Sequence, residues 1–567
     1  MADATLGEVN SRRAIGRTPW TVLASRYAYP LTLGLAVFLG VVVRARFILA
    51  SDFPLNDGGL FLVMSQAIAD AHFRLPSFVT YNAIHIPFGY SPLAFYVAAA
   101  VNEATGMSLT DVLRYVPLVV TSATIVAFLY LARAVLKSRV AVVAAVFAFA
   151  LVPRSFIWLL MGGGLTRSFG LLFTIMALHQ AFLLFTRGRT LHVVLLGVFT
   201  ALTVLSHLGT APFLLFSAVL LFLAYGRTAR ALTGSIAAAI LAVVLTAPWW
   251  GTVVAAHGFA PFAAAGASGS TVFSTDAATR YELFVKLARF GVTTTDEFYF
   301  PLVGTLAIIG ALVSLTAAEF YLPAWWLVTL LLDVRAGATY AAIPASLLAG
   351  IAVAYVLLPL ARGQIAGRIT GAPVASVADR WWERLHRRLN QLLPVLIPVL
   401  LVCYGAAAAL TLEPSRSTAA GLLVGLSPAE RSAMRWVATS TPPASRYLVV
   451  TPQTWSASRT AEWFPVLANR TSVATVQGSE WLPNHAFARR IAVDSAVESC
   501  AFSTTRCLDR VRREDGLTFT HVFIGKSPEQ PCCTALRASL RSDPSYQVIY
   551  DGPGATIAAV RPSGLAR

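Results

Sequence analysis

RARFILASDFPLNDGGLFLVMSQAIADAHFRLPSFVTYNAIHIPFGYSPL, residues 44–93, decides how the rest of the chain is read. It begins where an apolar run ends, at Arg44 and Arg46, and it carries two early acids, Asp52 and Asp57. From Asp57 onward the spacing predicts an amphipathic helix. Leu60, Val63, Met64, Ala67, Ile68 and Ala71 recur on one side, and Ser65, Gln66 and Asp70 take the other. A carboxylate held at a membrane surface just past a first span is costly unless it has a task.

Composition puts that stretch in a membrane protein. The chain has 567 residues, of which 56% are hydrophobic and only 13% charged, and its mean hydropathy is +0.67. So apolar a chain of this size fits a bilayer as its solvent. The net charge is +17, but the basic residues sit in short loops between apolar runs, a pattern that excludes a nucleic-acid partner. Lysine occurs only at Lys137, Lys286 and Lys526; arginine takes its place, as in the GC-rich genome of a bacterium or archaeon. The first apolar run begins near Pro30, too late and too long for a cleavable signal peptide.

Apolar segments fall near 30–50, 113–136, 140–160, 165–186, 190–207, 209–225, 233–255, 300–318, 320–334, 339–361 and 392–412. They predict about eleven transmembrane helices. Arg12, Arg13, Arg17 and Arg26 precede the first. Lys137, Arg139, Arg187, Arg189, Arg227 and Arg230 lie in later loops, and Arg362 to Arg388 follow the tenth. All share one side if the N-terminus is cytoplasmic. Residues 1–29 are then a cytoplasmic segment. Residues 30–412 form the transmembrane domain, with an outer loop at 51–112, and residues 413–567 lie outside. In the cytoplasmic stretch 379–392, DRWWERLHRRLNQL, tryptophans and leucines oppose arginines, which predicts a helix lying on anionic headgroups.

The outer domain has α/β character. Ser427-Pro428-Ala429-Glu430 is a capping box with proline in the first turn. Arg446–Thr451 and Thr520–Ile524 predict buried strands, Ser527-Pro528-Glu529-Gln530 opens a helix, and 546–560 predicts a terminal hairpin. Four cysteines lie here, Cys500, Cys507, Cys532 and Cys533, and they predict two disulfides in an oxidising space. A bridge between neighbours Cys532 and Cys533 would be strained, so crossed pairings to Cys500 and Cys507 are expected. Cys403, alone in the last span, is read as a small core residue. Neither CxxC spacing nor a second histidine beside His521 points to a metal site.

A cytoplasmic N-terminus, a long first outer loop with an early acid, about eleven spans and an outer C-terminal domain resemble the GT-C glycosyltransferases. Asn56-Asp57-Gly58-Gly59 stands where that superfamily places its loop-one acid, and Tyr90-Ser91-Pro92-Leu93 is similar to its Tyr/His-Pro-Pro-Leu segment. The paired Asp-Glu and the WWD-type motif of some branches are absent. The resemblance implies an inverting transferase in the plasma membrane of a prokaryote. It would move a sugar from a polyprenyl phosphate or pyrophosphate carrier to a glycan, lipid or protein acceptor outside the membrane. A divalent cation, Mg or Mn, is the cofactor that such enzymes leave open. A scaffold subunit of a larger membrane complex and a lipid or polysaccharide transporter are the alternatives, though the spans carry few charges and no paired broken helices.

Such a reaction needs a carboxylate to take the acceptor proton and cations to hold the departing phosphate. Asp57 is the candidate base, with Asp52 the runner-up; Asp57 as a plain N-cap is the competing reading. Arg335, in Asp333-Val334-Arg335-Ala336-Gly337, and Arg167, just after Gly162-Gly163-Gly164, are the candidate phosphate ligands, ahead of Arg154 and Arg44. His207 interrupts an apolar hairpin and is a further carrier contact. His85 and Tyr90 would line the acceptor side, and Asp296 and Glu297 would supply a second carboxylate or a metal ligand. Glu462-Trp463 and Glu480-Trp481 would shape an acceptor groove, since indole faces stack on sugar rings.

Overall fold

The computed structural model describes residues 19–268, 281, 284–285, 288, 295–297, 299–332, 337–361, 379–411, 425–526 and 532–561. Among them, seven helices are long and apolar enough to cross a bilayer: Tyr27–Leu49, Leu109–Val135, Gly164–Arg187, Leu208–Tyr225, Ala229–His257, Gly337–Ala361 and Leu392–Leu410. This is a multi-pass membrane protein. Three more of the expected spans are short helices, Thr190–Ser206, Leu302–Thr316 and Tyr321–Leu332.

The expected span at 140–160 is broken. Arg139–Leu151 and Pro153–Leu160 meet at 77°. Pro153 has no N–H to donate, so the first helix ends ahead of it. Breaking a helix in an apolar bundle leaves carbonyls that must be satisfied internally. Arg44 does this: its Nη1 donates to Ala150 O at 2.6 Å and to Gly40 O at 2.9 Å, and Nη2 donates to Ser155 Oγ at 3.1 Å. Its guanidinium also lies 4.6 Å from the Phe156 ring centroid. Arg44 is wholly buried, so it staples the bundle from within instead of standing at a span's outer end.

The 379–392 stretch and the last span form one continuous helix, Asp379–Leu410; the side chains expected to lie on headgroups fall outside the described residues. Cys403 on this helix is exposed, not a core residue, because the helix packs on the bundle with other positions.

The first long loop is structured. The amphipathic helix is Gly59–Asp70, two residues later than Asp57, and it buries Leu60, Met64 and Ile68. Ser65, expected on the polar side, is also buried and donates to Phe61 O at 2.8 Å. A hairpin follows, β1 (Phe78–Tyr81) and β2 (Ile84–Pro87), antiparallel with Phe78 opposite Pro87. Asn82 and Ala83 turn it with φ of 54° and 58°. The helix Leu93–Thr105 completes the loop.

The C-terminal part builds a five-stranded sheet from β3 (Arg446–Val450), β4 (Thr471–Ser472), β5 (His521–Gly525), β6 (Tyr546–Asp551) and β7 (Ala555–Val560). Their order is β4-β3-β5-β7-β6. The first two pairings are parallel, and the hairpin β6–β7 closes the sheet antiparallel to β5. The helix Pro428–Ser440 starts with the expected capping box, both of its bonds being made. The helix expected from Ser527 falls outside the described residues; Thr534–Ser542 follows them.

Loop one and this α/β layer share one core, in which Phe53, Leu60 and Met64 pack with Trp463, Phe464 and Phe523. Asn82 closes the β4 edge. Its Nδ2 donates to Ser472 O at 2.8 Å, and Ser472 N–H donates back to Asn82 Oδ1 at 2.7 Å.

The disulfides differ from the crossed expectation. Cys500 pairs with Cys507, their Cα atoms 5.4 Å apart, and Cys532 pairs with Cys533. A 5.4 Å separation suits a bridge, and the helix Thr505–Glu514 folds Cys507 back onto Cys500. At Cys533 a left-handed φ of 66° turns the neighbouring side chains together.

Candidate functional site

Two carboxylates from distant parts of the chain each sit on the N-terminus of a helix that is not their own. Asp57 does not cap the helix that follows it. Its Oδ1 accepts the Gly163 N–H at 2.5 Å, at the start of Gly164–Arg187, and its Oδ2 accepts Arg167 Nη2 at 2.7 Å. Glu462, from the helix Arg459–Leu467, takes the vacated place. Its Oε1 accepts the N–H groups of Gly58 and Gly59 at 2.7 and 3.1 Å, and its Oε2 accepts Gln477 Nε2 at 3.2 Å. Free N–H groups and the positive dipole end favour an anion at both places.

The glycines of 162–164 make this approach possible. A Cβ on Gly162 would lie 1.7 Å from Asp57 O, and one on Gly163 would lie 2.4 Å from both Asp57 Oδ2 and Arg167 Nη2. Gly58, at φ 119°, has a backbone that only glycine adopts with ease. Arg167 also donates to Trp158 O at 3.0 Å and lies 5.5 Å from the Trp158 ring centroid. Burial, and then the Asp57 carboxylate, push the Glu462 pKa upward, while the two glycine amides oppose the shift. Each polar contact described for its carboxyl group comes from a donor, so the geometry holds it as an acceptor.

A third acid completes the rim. Glu480 accepts the Tyr90 hydroxyl, and Tyr90 packs 4.6 Å from the Trp481 ring centroid. Burial and the Glu480 charge raise the Tyr90 phenol well above its ordinary range.

These groups open on one cleft of about 600 Å³. Asp57, Tyr90, Trp158, Arg167 and His207 line it on the membrane side, and Trp455, Glu462, Gln477, Glu480 and Trp481 on the α/β side. The same cleft is lined by the apolar side chains Phe213, Phe216, Leu220, Trp325 and Val328. Pro212 and Leu220 both line it; eight residues of helix put the trough at about 12 Å long. Trp325 Nε1 donates to Ser217 Oγ at 2.8 Å, which satisfies its one donor inside the bundle. The arrangement therefore joins a carboxylate–guanidinium pair to an apolar trough between helices.

The other predicted residues lie elsewhere or play quieter parts. Asp52 pairs with Arg431 and is not among the cleft residues. His85 is exposed on the outer face of the hairpin, its Nδ1 3.0 Å from Thr80 Oγ1. Trp463 is wholly buried in the shared core. Asp296 pairs with Arg154 at 3.1 Å, and Glu297 accepts the Val303 N–H at 2.9 Å, its pKa pushed up to about 7 by burial; neither lines the cleft. His207 does line it, with Nδ1 2.7 Å from Thr210 Oγ1. Arg335 lies outside the described residues. Trp158, Trp455 and Gln477 escaped the sequence reading, since no spacing marks them. Among the described residues no three His, Cys, Asp or Glu side chains converge to hold a metal ion.

No protein-family profile matches the chain, and no curated protein matches it by sequence. Solved structures do match. The oligosaccharyltransferase AglB from Archaeoglobus fulgidus, solved with an inhibitory peptide and a dolichol-phosphate, superposes with a TM-score of 0.56 at 14% identity, covering 88% of this chain and 70% of that one. The Archaeoglobus fulgidus oligosaccharyltransferase is also solved with Zn and sulfate, and that structure gives 0.50 at 15% identity, covering 87% and 68%. The arabinofuranosyltransferase AftD from Mycobacteria gives 0.54 at 16% identity over 94% of this chain, which spans only 40% of that larger protein. These neighbours are GT-C glycosyltransferases, and the chain has the GT-C fold.

Proposed function

We propose that this protein is an inverting glycosyltransferase that moves a sugar from a polyprenyl phosphate or pyrophosphate carrier to an acceptor outside the membrane. One observation carries the reading: Asp57 and Arg167, 2.7 Å apart, line the same cleft as the apolar side chains Phe213, Phe216 and Leu220. A prenyl chain would lie in the trough, with its phosphate at the level of Arg167. A guanidinium grips phosphate oxygens in bidentate fashion. Arriving phosphate would share or displace the Arg167 contact and leave Asp57 facing the acceptor. The acceptor oxygen then bonds to the sugar C1 while the bond from C1 to the phosphate oxygen breaks. The phosphate leaves with the bonding pair, and the hydroxyl proton passes to Asp57. Arg335 lies in sequence between Thr329 and Thr339, both cleft residues, and is proposed as a second phosphate ligand. His207 is proposed to contact the carrier. On this reading the N-terminus and 362–391 are cytoplasmic, 413–567 face outward, and the chain resides in a prokaryotic plasma membrane.

The AglB structure holds a dolichol-phosphate, which supports a lipid phosphate as the donor's carrier here. Mass spectrometry of lipids carried through purification in mild detergent tests it. A polyprenyl phosphate or its glycosylated form should be recovered, and Arg167→Ala should reduce its amount. Equal recovery of bulk phospholipid alone from both proteins would refute the reading.

A further inference from the structure

We propose that the mouth of the cleft binds a neutral glycan as the acceptor, on a platform formed by Trp455 and Phe487. The inference rests on the transferase reading above for the fate of the glycan's hydroxyl. Trp455 lines the cleft and is half-buried, unlike Trp463 in the core. Its backbone is fixed from both sides. The carbonyl accepts Gln477 Nε2 at 3.1 Å, and the N–H bonds to the carboxyl of Asp494, itself only 9% exposed. The indole meets Phe487, another cleft residue, at 5.4 Å between centroids and 88° between planes. An aromatic surface held this way loses little freedom on binding.

The charges around it select the ligand. From the α/β layer come Glu462, Glu480, Gln477 and Ser456, and Arg167 is the one Lys or Arg among the described cleft residues. An anionic acceptor would face the Glu480 carboxyl and the acceptor oxygens of Glu462, with its counter-charge already engaged by Asp57. A chain of sugar hydroxyls suits the site, since carboxylates and an amide oxygen accept O–H donors and aromatic faces pack on the C–H faces of sugar rings. A peptide that adds a strand needs a free sheet edge, and Asn82 occupies the β4 edge nearest loop one. Gln477 links the platform to the chemistry: the same Nε2 donates to Trp455 O and to Glu462 Oε2, which in turn holds Gly58 and Gly59 beside Asp57. An acceptor resting on Trp455 is thereby registered against the loop that carries the base.

Saturation-transfer NMR on the full chain in nanodiscs tests this without turnover. The probes are short neutral oligosaccharides of pentofuranose and hexopyranose units, their phosphorylated counterparts, and a random peptide library. Ring protons of the neutral saccharides should receive saturation. Trp455→Ala should weaken their binding about tenfold, the mark of a main contact, and Trp455→Phe should retain most of it. Signal from peptides alone, a preference for phosphorylated saccharides, or unchanged affinity in a folded Trp455→Ala protein would overturn the proposal. If Trp455→Ala does not fold, Phe487→Ala against Trp455→Phe decides the same point. Asp57→Asn separates the two readings. Transfer retained in that variant, with saccharide binding still lost in Trp455→Ala, sinks the base assignment and leaves the platform standing.

Discussion

Glu462→Ala should open the joint between loop one and the α/β layer. Glu462 is 6% exposed and accepts from the Gly58 and Gly59 amides and from Gln477. Alanine leaves both buried amides without that partner. An orphaned buried donor costs about 1–3 kcal/mol, so the pair should cost on the order of 2–6 kcal/mol. The lost Gln477 contact adds less, because that amide keeps Trp455 O. For a unit the size of the α/β layer, each kcal/mol lowers the melting temperature by roughly 2–4 °C. Glu462→Gln keeps one acceptor oxygen and should cost only about 1 kcal/mol. Thermal unfolding in detergent measures the loss, and hydrogen exchange at the Gly58 and Gly59 amides locates it. An alanine variant with unchanged melting and unchanged exchange at those two amides would refute the cap in trans.

Further outcomes follow from the same contacts. Gly162→Ala should abolish folding of the site, since its Cβ meets the Asp57 carbonyl at 1.7 Å; Gly163→Ala, whose Cβ meets side-chain atoms of Arg167 and Asp57 at 2.4 Å, should fold and push the Arg167 guanidinium out of place, as reduced lipid recovery would report. Asp494 should tie stability to pH. Burial, then Glu498, push its pKa from 3.8 up to about 7, so between those values the folded state holds a proton that the unfolded state has lost. Stability therefore falls as pH rises through that window, by on the order of 1 kcal/mol per unit; urea titrations should show the slope, and Asp494→Asn should flatten it. Cysteine labelling from outside the cell should reach an engineered site at Ser417 and miss one at Ser11, and the reverse would overturn the orientation.

Much of the architecture was legible because it is written in periodicity. Apolar runs located the helices, and the capping box at Ser427 and the strand patterns at 446–451 and 520–524 carried through to the structure. The loop-one helix was legible too, but its start was not. Asp57 has the composition of an N-cap, yet Gly58 at positive φ turns it away toward Gly163. The broken span had a local signal in Pro153, outweighed by the hydropathy around it. Contacts such as Glu462 to Gly58 or Tyr90 to Glu480 join residues some four hundred positions apart, and no pattern within a segment encodes them. The Glu-Trp repeats drew attention to Trp463 and Trp481, while the proposed platform rests on the half-buried Trp455. Residue type alone does not separate a core indole from one at a cleft mouth.

Turnover of Asp57→Asn tests the central claim most directly. Asparagine still accepts the Gly163 N–H, so the helix start stays capped, but its Nδ2 meets Arg167 Nη2 donor to donor; melting temperature and recovered lipid are therefore read beside transfer, and the group that takes the acceptor proton is gone. With a polyprenyl-phosphate sugar donor and a neutral glycan acceptor, transfer by the variant should fall by about 10²-fold or more, the usual worth of a general base. Near-normal transfer by a folded Asp57→Asn protein would contradict the account.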